Sequence, residues 1–241
     1  MADDLLRLDG VHTRIGRYHI LHGVDLSVRR GRVTMLLGRN GAGKTTTLRT
    51  VMGLWRAAEG AISFDGRRIE TLATPDIARL GIAYVPETMG IFSQLSVREN
   101  LLLATGPAGF DDAHLDRLFA LFPALKEKWS LPAGVLSGGQ KQMLAIGRAI
   151  VEPRRLLVVD EPTKGLAPAI IQQLIHAFIR LKRTETTVLL VEQNFHMAAS
   201  VGDDVAVMDD GRIVHAGAMA DLVADEALQN RLLGLSLAEH Q

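Results

Sequence analysis

The sequence predicts an α/β protein that opens with antiparallel strands and carries a helical segment inserted into a parallel-sheet core. Short apolar runs of strand length alternate with helical patterns, which indicates parallel βαβ units with helices on both faces of a sheet. The opening stretch instead alternates strand with turn. Between about Glu87 and Pro153 only helical patterns occur, which predicts the insertion.

Alternating apolar residues in the opening stretch predict strands over Leu5–Leu8, Val11–Ile15 and Leu21–Val28. We expect these strands to be broken at the glycines Gly10, Gly16 and Gly31. The apolar run Val33–Leu37 then meets a glycine-rich turn and the helical segment Lys44–Met52. These residues predict a strand, loop and helix in succession.

Later apolar runs supply the remaining strands, which we expect at Ala61–Phe64, Ile82–Val85, Leu156–Val159, Val188–Val191 and Val205–Met208. Apolar residues at three- and four-residue spacing predict helices over Ser96–Ala104, Asp111–Phe122 and Gly138–Val151. Leu131–Val135 is expected to be a loop, and Asp221–Leu233 one or two short helices. We therefore expect one domain, with a core of residues 1–86 and 154–241 and a helical subdomain of residues 87–153.

Composition excludes several classes of function. Lys plus Arg and Asp plus Glu each number 27, so no net charge draws the chain to nucleic acid or anionic lipid. The basic stretch Arg29–Arg32 lacks interleaved aromatics and is interpreted as a solvated turn. The absence of cysteine excludes disulfides and thiolate metal sites. The N-terminus is acidic and no apolar run is long enough to span a bilayer, so we expect a cytoplasmic protein. The balanced charge leads us to expect that it binds no nucleic acid.

The residues Gly38-Arg39-Asn40-Gly41-Ala42-Gly43-Lys44-Thr45, called the phosphate loop below, match the pattern G-x-x-x-x-G-K-[ST]. They lie between a predicted strand and a predicted helix, as that pattern requires. Backbone N–H groups of such a loop close around phosphates, and the helix N-terminus adds partial positive charge. We expect Lys44 to reach the β- and γ-phosphates, Thr45 to offer its hydroxyl to Mg²⁺ and Thr46 to complete the site. The expected cofactors are ATP and Mg²⁺.

Two further segments carry chemistry. The apolar run Leu156–Val159 ends at Asp160 and Glu161, so Asp160 can lie near Mg²⁺ while Glu161 polarises the attacking water. The segment Leu136-Ser137-Gly138-Gly139-Gln140 opens a helix, where a hydroxyl and glycine amides form a second anion site. Alone, that segment would equally be an ordinary serine-capped helix start.

In this order, the phosphate loop, Leu136–Gln140 and a strand ending Asp160-Glu161-Pro162-Thr163 resemble an ABC-type ATPase over essentially the whole chain. The resemblance implies a P-loop NTPase (RecA-like) core with an antiparallel β-subdomain and an inserted α-helical signature subdomain. It implies that Ser137, Gly138, Gly139 and Gln140 contact the γ-phosphate held by a facing cassette. The implied partners are a second, homologous or identical, cassette and transmembrane permease subunits, which would hold the chain at the inner face of the membrane.

Local matches narrow the family. They are Val85–Glu87, Ile91–Asn100, Met143–Arg148, Gly165–Pro168 and Val191–Asn194. Together they are similar to the smaller ATPase subunit of branched-chain amino acid importers, so an amino-acid importer subunit is expected. ATPases for urea or amide import look alike, and a lipid-export ATPase would have the same site. A P-loop kinase or GTPase would not need LSGGQ, and ABC proteins that act outside transport resemble paired cassettes or carry long coiled coils.

The chain departs from the ABC pattern at three positions. Glu87 occupies a place where many members have Gln, and its carboxylate can still serve the metal. Ile15 occupies the place of the aromatic that stacks on adenine, with Tyr18 close by in sequence. Gln193 aligns with the switch histidine, and its amide can donate a hydrogen bond to the γ-phosphate. We expect His196 to play no part in catalysis.

Overall fold

The computed structural model describes residues 4–107, 109–184 and 186–234. Its opening strands form an antiparallel sheet with the order β2-β1-β4-β5. These strands are β1 (Asp4–Ile15), β2 (Tyr18–Arg29), β4 (Ala57–Phe64) and β5 (Arg67–Arg68). The predicted antiparallel opening is confirmed.

A second sheet of six strands has the order β10-β9-β3-β8-β7-β6. It consists of β3 (Val33–Leu37), β6 (Ile82–Val85), β7 (Leu156–Asp160), β8 (Thr187–Val191), β9 (Asp204–Asp209) and β10 (Arg212–Ala218). All neighbours pair in parallel except β10, which runs antiparallel to β9. Every residue of β3, β7 and β8 is buried, which explains why each is a continuous apolar run rather than an alternating one.

Helices cover both faces of this sheet. The core carries α1 (Lys44–Val51), α2 (Thr74–Arg79), α7 (Pro168–Lys182), α8 (Phe195–Val201), α9 (Met219–Ala224) and α10 (Glu226–Leu233). Between β6 and β7 lie α3 (Val97–Leu102), α4 (Asp112–Leu121), α5 (Pro123–Glu127), a 3₁₀ turn at Ala133–Val135 and α6 (Gly138–Ile150). The predicted helical stretch is confirmed, while its status as a separate subdomain over residues 87–153 stays a prediction.

The predicted helix starts coincide with side-chain caps. Ser96 and Ser137 each form a capping box at the start of α3 and α6, and Asp111 caps α4. Each cap satisfies backbone N–H groups that the first turn of a helix leaves without intrahelical partners. The sequence therefore places these helix starts well, whereas α5, a short helix that begins at Pro123, was not predicted.

Two predictions about the strands were wrong. Gly10 does not end a strand, because β1 continues through it with a register shift between Leu8 and Val11. Its φ of 56° suits the irregularity, and its N–H donates to the Asp25 carboxylate at 2.8 Å. Ala61–Phe64 was grouped with the parallel strands but belongs to β4, which pairs with β1.

The basic turn at Arg29–Arg32 is paired rather than simply solvated, which corrects the prediction. Arg32 donates to both oxygens of Asp204, at 2.8 and 2.9 Å, and Arg29 donates to the same carboxylate. Burial raises the pKa of Asp204, but the hydrogen bonds from the two arginines outweigh it and hold this pKa below its usual range. The pairs join the β2–β3 turn to the start of β9.

Replacement of Asp204 tests this connection. Asp204→Ala is expected to lower the free energy of unfolding by about 1–3 kcal/mol, less than for a fully buried pair because both arginines are partly exposed. A lowered folded pKa means that the contribution is present above the ordinary Asp value of about 3.9 and disappears as pH falls through the folded value. Urea unfolding across that range measures both effects. Asp209→Ala, exposed at the end of the same strand, is the control and should change little.

Candidate functional site

The predicted functional segments follow the carboxyl ends of neighbouring parallel strands. The phosphate loop follows β3, Gln193 follows β8, Glu161 follows β7 and Glu87 follows β6. In the sheet these strands stand in the order β3-β8-β7-β6, spaced by about 4.8 Å each. Residues that are distant in sequence therefore converge on one edge of the sheet.

The phosphate loop depends on glycine at defined points. A Cβ at Gly38 would lie 2.2 Å from the carbonyl oxygen of Met208 at the end of β9, so no side chain fits there. Gly43, with φ of 106°, precedes α1, and no side chain caps this helix. The first-turn N–H groups of α1 are thus left for a ligand, in contrast to the capped starts of α3 and α6.

Lys44 is buried, with 4% of its side chain exposed. Its Nζ donates to the carbonyl oxygens of Gly38 and Arg39 at 2.8 and 3.1 Å, and lies 3.4 Å from Glu161 Oε1. The ammonium group is therefore held over the loop by neutral acceptors and one carboxylate. A phosphate oxygen could replace these acceptors without moving the lysine out of the loop.

Glu161 and Gln193 are in direct contact. Gln193 Nε2 donates to Glu161 Oε1 at 2.6 Å and to Asn40 Oδ1 at 2.7 Å, so its amide joins the end of β7 to the phosphate loop. Glu161 is a non-glycine residue with φ of 45°, while its N–H donates to Val191 O at 2.9 Å. Such backbone geometry is uncommon outside glycine and concentrates at functional sites.

Asp160 lies beside Thr45, and both are expected from the sequence to hold Mg²⁺. Thr45 Oγ1 donates to Asp160 Oδ1 at 3.1 Å, and the Tyr84 hydroxyl donates to Oδ2 at 3.4 Å. Burial raises the pKa of Asp160, and the charges of Glu161 and Glu87 raise it further, against the hydrogen bonds. Burial likewise raises the pKa of Tyr84 to about 12. Two oxygen donors, one a carboxylate deprived of water, are a suitable arrangement for a hard cation.

Glu87 does not contact Asp160 directly in a hydrogen bond. Instead its carboxylate accepts from Lys164 Nζ at 2.6 Å, and the same ammonium lies 3.5 Å from Glu161 Oε2. Lys164 thus connects two predicted site residues. Sequence reasoning missed it because it lies outside every motif, although its place three residues after Glu161 was a usable signal.

Glu192 was also missed, although it lies within the matched segment Val191–Asn194 and directly precedes Gln193. It is 2% exposed and accepts from Thr163 N, Thr163 Oγ1, Gln193 N and Asn194 N at 2.9–3.2 Å. Burial raises its pKa, in opposition to these hydrogen bonds. It fastens the segment after Glu161 to the segment that carries Gln193.

The segment Ser137–Gln140 stands apart from this cluster. Ser137 Oγ accepts from Gln140 N at 3.3 Å, and Ser137 N donates to Gln140 Oε1 at 3.1 Å, so the serine caps its own helix. Gly139 permits close packing, because a Cβ there would lie 2.6 Å from Cγ2 of Ile170 in α7. No hydrogen bond or ion pair joins this segment to the phosphate loop among the described residues.

The remaining candidates are peripheral. Tyr18 is 61% exposed at the β1–β2 turn, where Arg17 lies over its ring, and Ile15 is partly buried. His196 Nε2 lies 2.9 Å from Gln172 Nε2 on the neighbouring helix α7, and among the described residues no hydrogen bond or ion pair joins its side chain to the cluster. A contact of Ile15 or Tyr18 with adenine stays a prediction. The absence of a catalytic role for His196 also stays a prediction.

Among the described residues, no group of three or more His, Cys, Asp or Glu side chains is placed to hold a metal ion. No helix in residues 4–107, 109–184 and 186–234 has the length and apolar character needed to cross a bilayer.

Comparison with known proteins agrees with this geometry. A family model described as ABC transporter matches residues 21–164. The high-affinity branched-chain amino acid transport ATP-binding protein BraG of Pseudomonas aeruginosa is 41% identical over 95% of this chain and 100% of its own length. The probable branched-chain amino acid transport ATP-binding protein LivF of Archaeoglobus fulgidus is 32% identical, over 96% of this chain and 99% of its own.

A solved structure gives the same result for the fold. The ADP conformation of an ATP-binding cassette of an ABC transporter superposes with a TM-score of 0.81 and 26% identity, over 96% of this chain and 99% of the other. The predicted α/β fold with its antiparallel sheet is confirmed. The chain belongs to the ABC transporter family and is one of its ATPase cassettes.

Proposed function

We propose that this chain powers an importer of branched-chain or related amino acids by Mg²⁺-dependent hydrolysis of ATP at the site described above. The observation that carries the chemistry is the meeting of Lys44, Glu161 and Gln193 over the phosphate loop. The cargo class rests on BraG and LivF, whose names specify branched-chain amino acid transport and whose whole lengths this chain matches.

Nucleotide binding is proposed to use the loop and the uncapped start of α1. Backbone N–H groups between Gly38 and Thr46 would surround the phosphates, and Lys44 would exchange its carbonyl acceptors for β- and γ-phosphate oxygens. Because the lysine is already buried and held, little side-chain entropy remains to be lost on binding.

The residues also fit Mg²⁺. Thr45 and Asp160 would hold it, and Glu87, whose charge acts on Asp160, would contribute after release from Lys164. Mg²⁺ is commonly bound by one or two carboxylates together with phosphate oxygens, so a dedicated cage of several acidic side chains is not required. When bound, the metal would neutralise charge on the phosphates during transfer.

Hydrolysis is proposed to depend on Glu161 as the general base. The Glu161 carboxylate would accept a proton from the attacking water. Gln193 would orient this carboxylate through one hydrogen bond and the phosphate loop, at Asn40, through a second. Lys164 would balance the negative charge shared by Glu161 and Glu87. Glu192 would hold the two segments in register.

The partners are proposed to be a second cassette and membrane permease subunits at the cytoplasmic face. Ser137–Gln140 forms an N-terminal helix end that, among the described residues, has no link to its own phosphate loop. A facing cassette would supply the nucleotide that such a helix end can bind. Ser137 would then offer its hydroxyl to that ligand as well as to its own helix.

The Glu161→Gln substitution tests the assignment of the base. It keeps size and hydrogen-bonding reach but removes the carboxylate, so hydrolysis is expected to fall by about 10²–10⁴-fold while ATP still binds. The ATP-bound protein should then accumulate as a dimer, measurable by light scattering. Hydrolysis at the parental rate would assign the base to another residue.

The same variant tests the cargo class. Cells that lack this chain should regain uptake of labelled leucine with the unaltered protein, but not with Glu161→Gln. Urea, as a parallel substrate, should be unaffected by either. Restored uptake of urea in place of leucine would contradict the amino-acid assignment without changing that of the ATPase.

The pair Gln193 and His196 tests the register of the catalytic loop. Gln193→Ala removes a hydrogen bond to a carboxylate and is expected to lower kcat about 10- to 100-fold with nearly unchanged ATP affinity. His196→Ala, the matched control on the next helix, should leave kcat unchanged. Gln193→His should retain turnover, and its kcat should vary with pH around the ordinary imidazole pKa of about 6.5. A silent Gln193→Ala beside an inactive His196→Ala would show that the register is wrong.

A further inference from the structure

We propose that a cavity between α4 and α7 is a binding site for a small aliphatic carboxylate, held by Arg117, Arg154 and Arg180 over an apolar floor. The cavity measures about 360 Å³. That is within the usual range of roughly 300–1,000 Å³ for small-molecule sites. It is separate from the ATPase site and does not depend on the cargo proposed above.

The cavity lies at the edge of the sheet opposite the phosphate loop. Its lining includes Arg154, which precedes β7, and Thr184 and Thr186, which precede β8. The ATPase residues follow the carboxyl ends of the same strands, so the length of a five-residue strand, roughly 16 Å, lies between the two sites. A molecule bound here could not be the nucleotide of the phosphate loop.

Its charge favours an anion. Arg154 Nη2 donates to Ala104 O at 3.3 Å and Arg180 Nη1 donates to Ala120 O at 2.6 Å, so each guanidinium is anchored by a neutral carbonyl. Within the described residues none of the three arginines forms an ion pair. A guanidinium has five N–H donors and matches a carboxylate with two parallel hydrogen bonds. Three such groups around one cavity leave positive charge for a ligand to neutralise.

One further group refines the ligand. Glu152 lines the same cavity and could receive an ammonium group, which would admit an α-amino acid. His114 also lines it, but its Nδ1 lies 3.7 Å from Oδ1 of Asp111, a residue outside the lining.

The floor is apolar. Leu121 from α4 and Ile150 from α6 line the cavity and are only partly buried, so they present apolar surface to it. Beneath them lie Leu118 and Leu157, which are fully buried. A bare inorganic anion would leave this surface wet, whereas a branched aliphatic body of a few carbons would cover it. The ligand class is therefore a carboxylate with an aliphatic chain, either the amino acid or the corresponding acid without its amine.

A ligand in this cavity would contact two parts of the fold. The cavity walls come from α4, within the helical stretch that carries Ser137–Gln140, and from α7 and β7 of the core. The Arg180–Ala120 hydrogen bond already crosses this joint. A bound carboxylate would add ionic contacts across it and fasten the two parts together.

Calorimetric titration of the purified chain without nucleotide tests the proposal. The probes are 4-methylpentanoate, L-leucine, isopentylamine and sulfate, each at millimolar concentration. We expect saturable binding of 4-methylpentanoate, and weaker or no binding of isopentylamine, which lacks the carboxylate, and of sulfate, which lacks the aliphatic body. Leucine binding tighter than 4-methylpentanoate would identify the amino acid as the ligand, and the reverse would identify the simple acid.

Variants locate the site. Arg154→Gln is expected to weaken 4-methylpentanoate binding about 10-fold or more, the effect of losing a charge-assisted hydrogen-bond pair. Arg117 is exposed on α4, and Arg117→Gln is the second variant, to be used if Arg154→Gln folds poorly. Arg183→Gln at the end of α7 lies outside the lining and should bind as the unaltered chain does. The proposal would be overturned by absence of carboxylate binding or by sulfate binding as tight as that of 4-methylpentanoate. It would also be overturned if the Arg117 and Arg154 variants both bound 4-methylpentanoate with the affinity of the unaltered chain. None of these results bears on ATP hydrolysis.

Discussion

The parallel pairing of β3, β8 and β7 positions the central residues of the proposed ATPase site. Leu36 and Asp160 are both register partners of Val191, so the three strands end at the same level. The chain that leaves each strand therefore enters the same small volume: the phosphate loop from β3, Gln193 from β8 and Glu161 from β7. A register slip in any of these strands would shift the segment that follows it by about 3.3 Å per residue and so separate the groups.

Burial makes the electrostatics of this volume demanding. Lys44, Asp160, Glu161 and Glu192 are all less than a tenth exposed, and three of the four are acids. Buried charges are costly unless paired, and the raised pKa of Asp160 reflects mainly burial, with the neighbouring acids adding to it. A triphosphate would add further negative charge beside these carboxylates. A divalent cation between Thr45, Asp160 and the phosphates would relieve that repulsion, which accounts for the proposed dependence on Mg²⁺.

Sequence reasoning succeeded where local chemistry decides the structure. Continuous apolar runs identified β3, β7 and β8 because strands buried on both faces have no polar alternation. Apolar spacing placed the starts of α3, α4 and α6 at or next to Ser96, Asp111 and Ser137, which cap these helices through local interactions. The phosphate loop was found from its glycines and its position between strand and helix.

It failed where partners are distant in sequence. The predicted strand Ala61–Phe64 was placed in the wrong sheet because only the pairing of β4 with β1 decides its membership. Strand β10 was missed because Arg212–Ala218 is half exposed and ends in small residues. Lys164 and Glu192 gained roles only when the fold brought Glu87 and Thr163 to them.

The central claim is that the converging strand ends form a nucleotide site with Lys44 at its centre. Thermal unfolding of the unaltered chain and of Lys44→Ala, each with increasing ATP and Mg²⁺, tests this most directly. A ligand that binds only the native state stabilises it with the logarithm of its concentration, by about 2.7 kcal/mol at a hundred times Kd. We predict this rise for the unaltered chain and none for Lys44→Ala, after each curve is referred to its own nucleotide-free midpoint. An equal rise in both proteins would contradict the account.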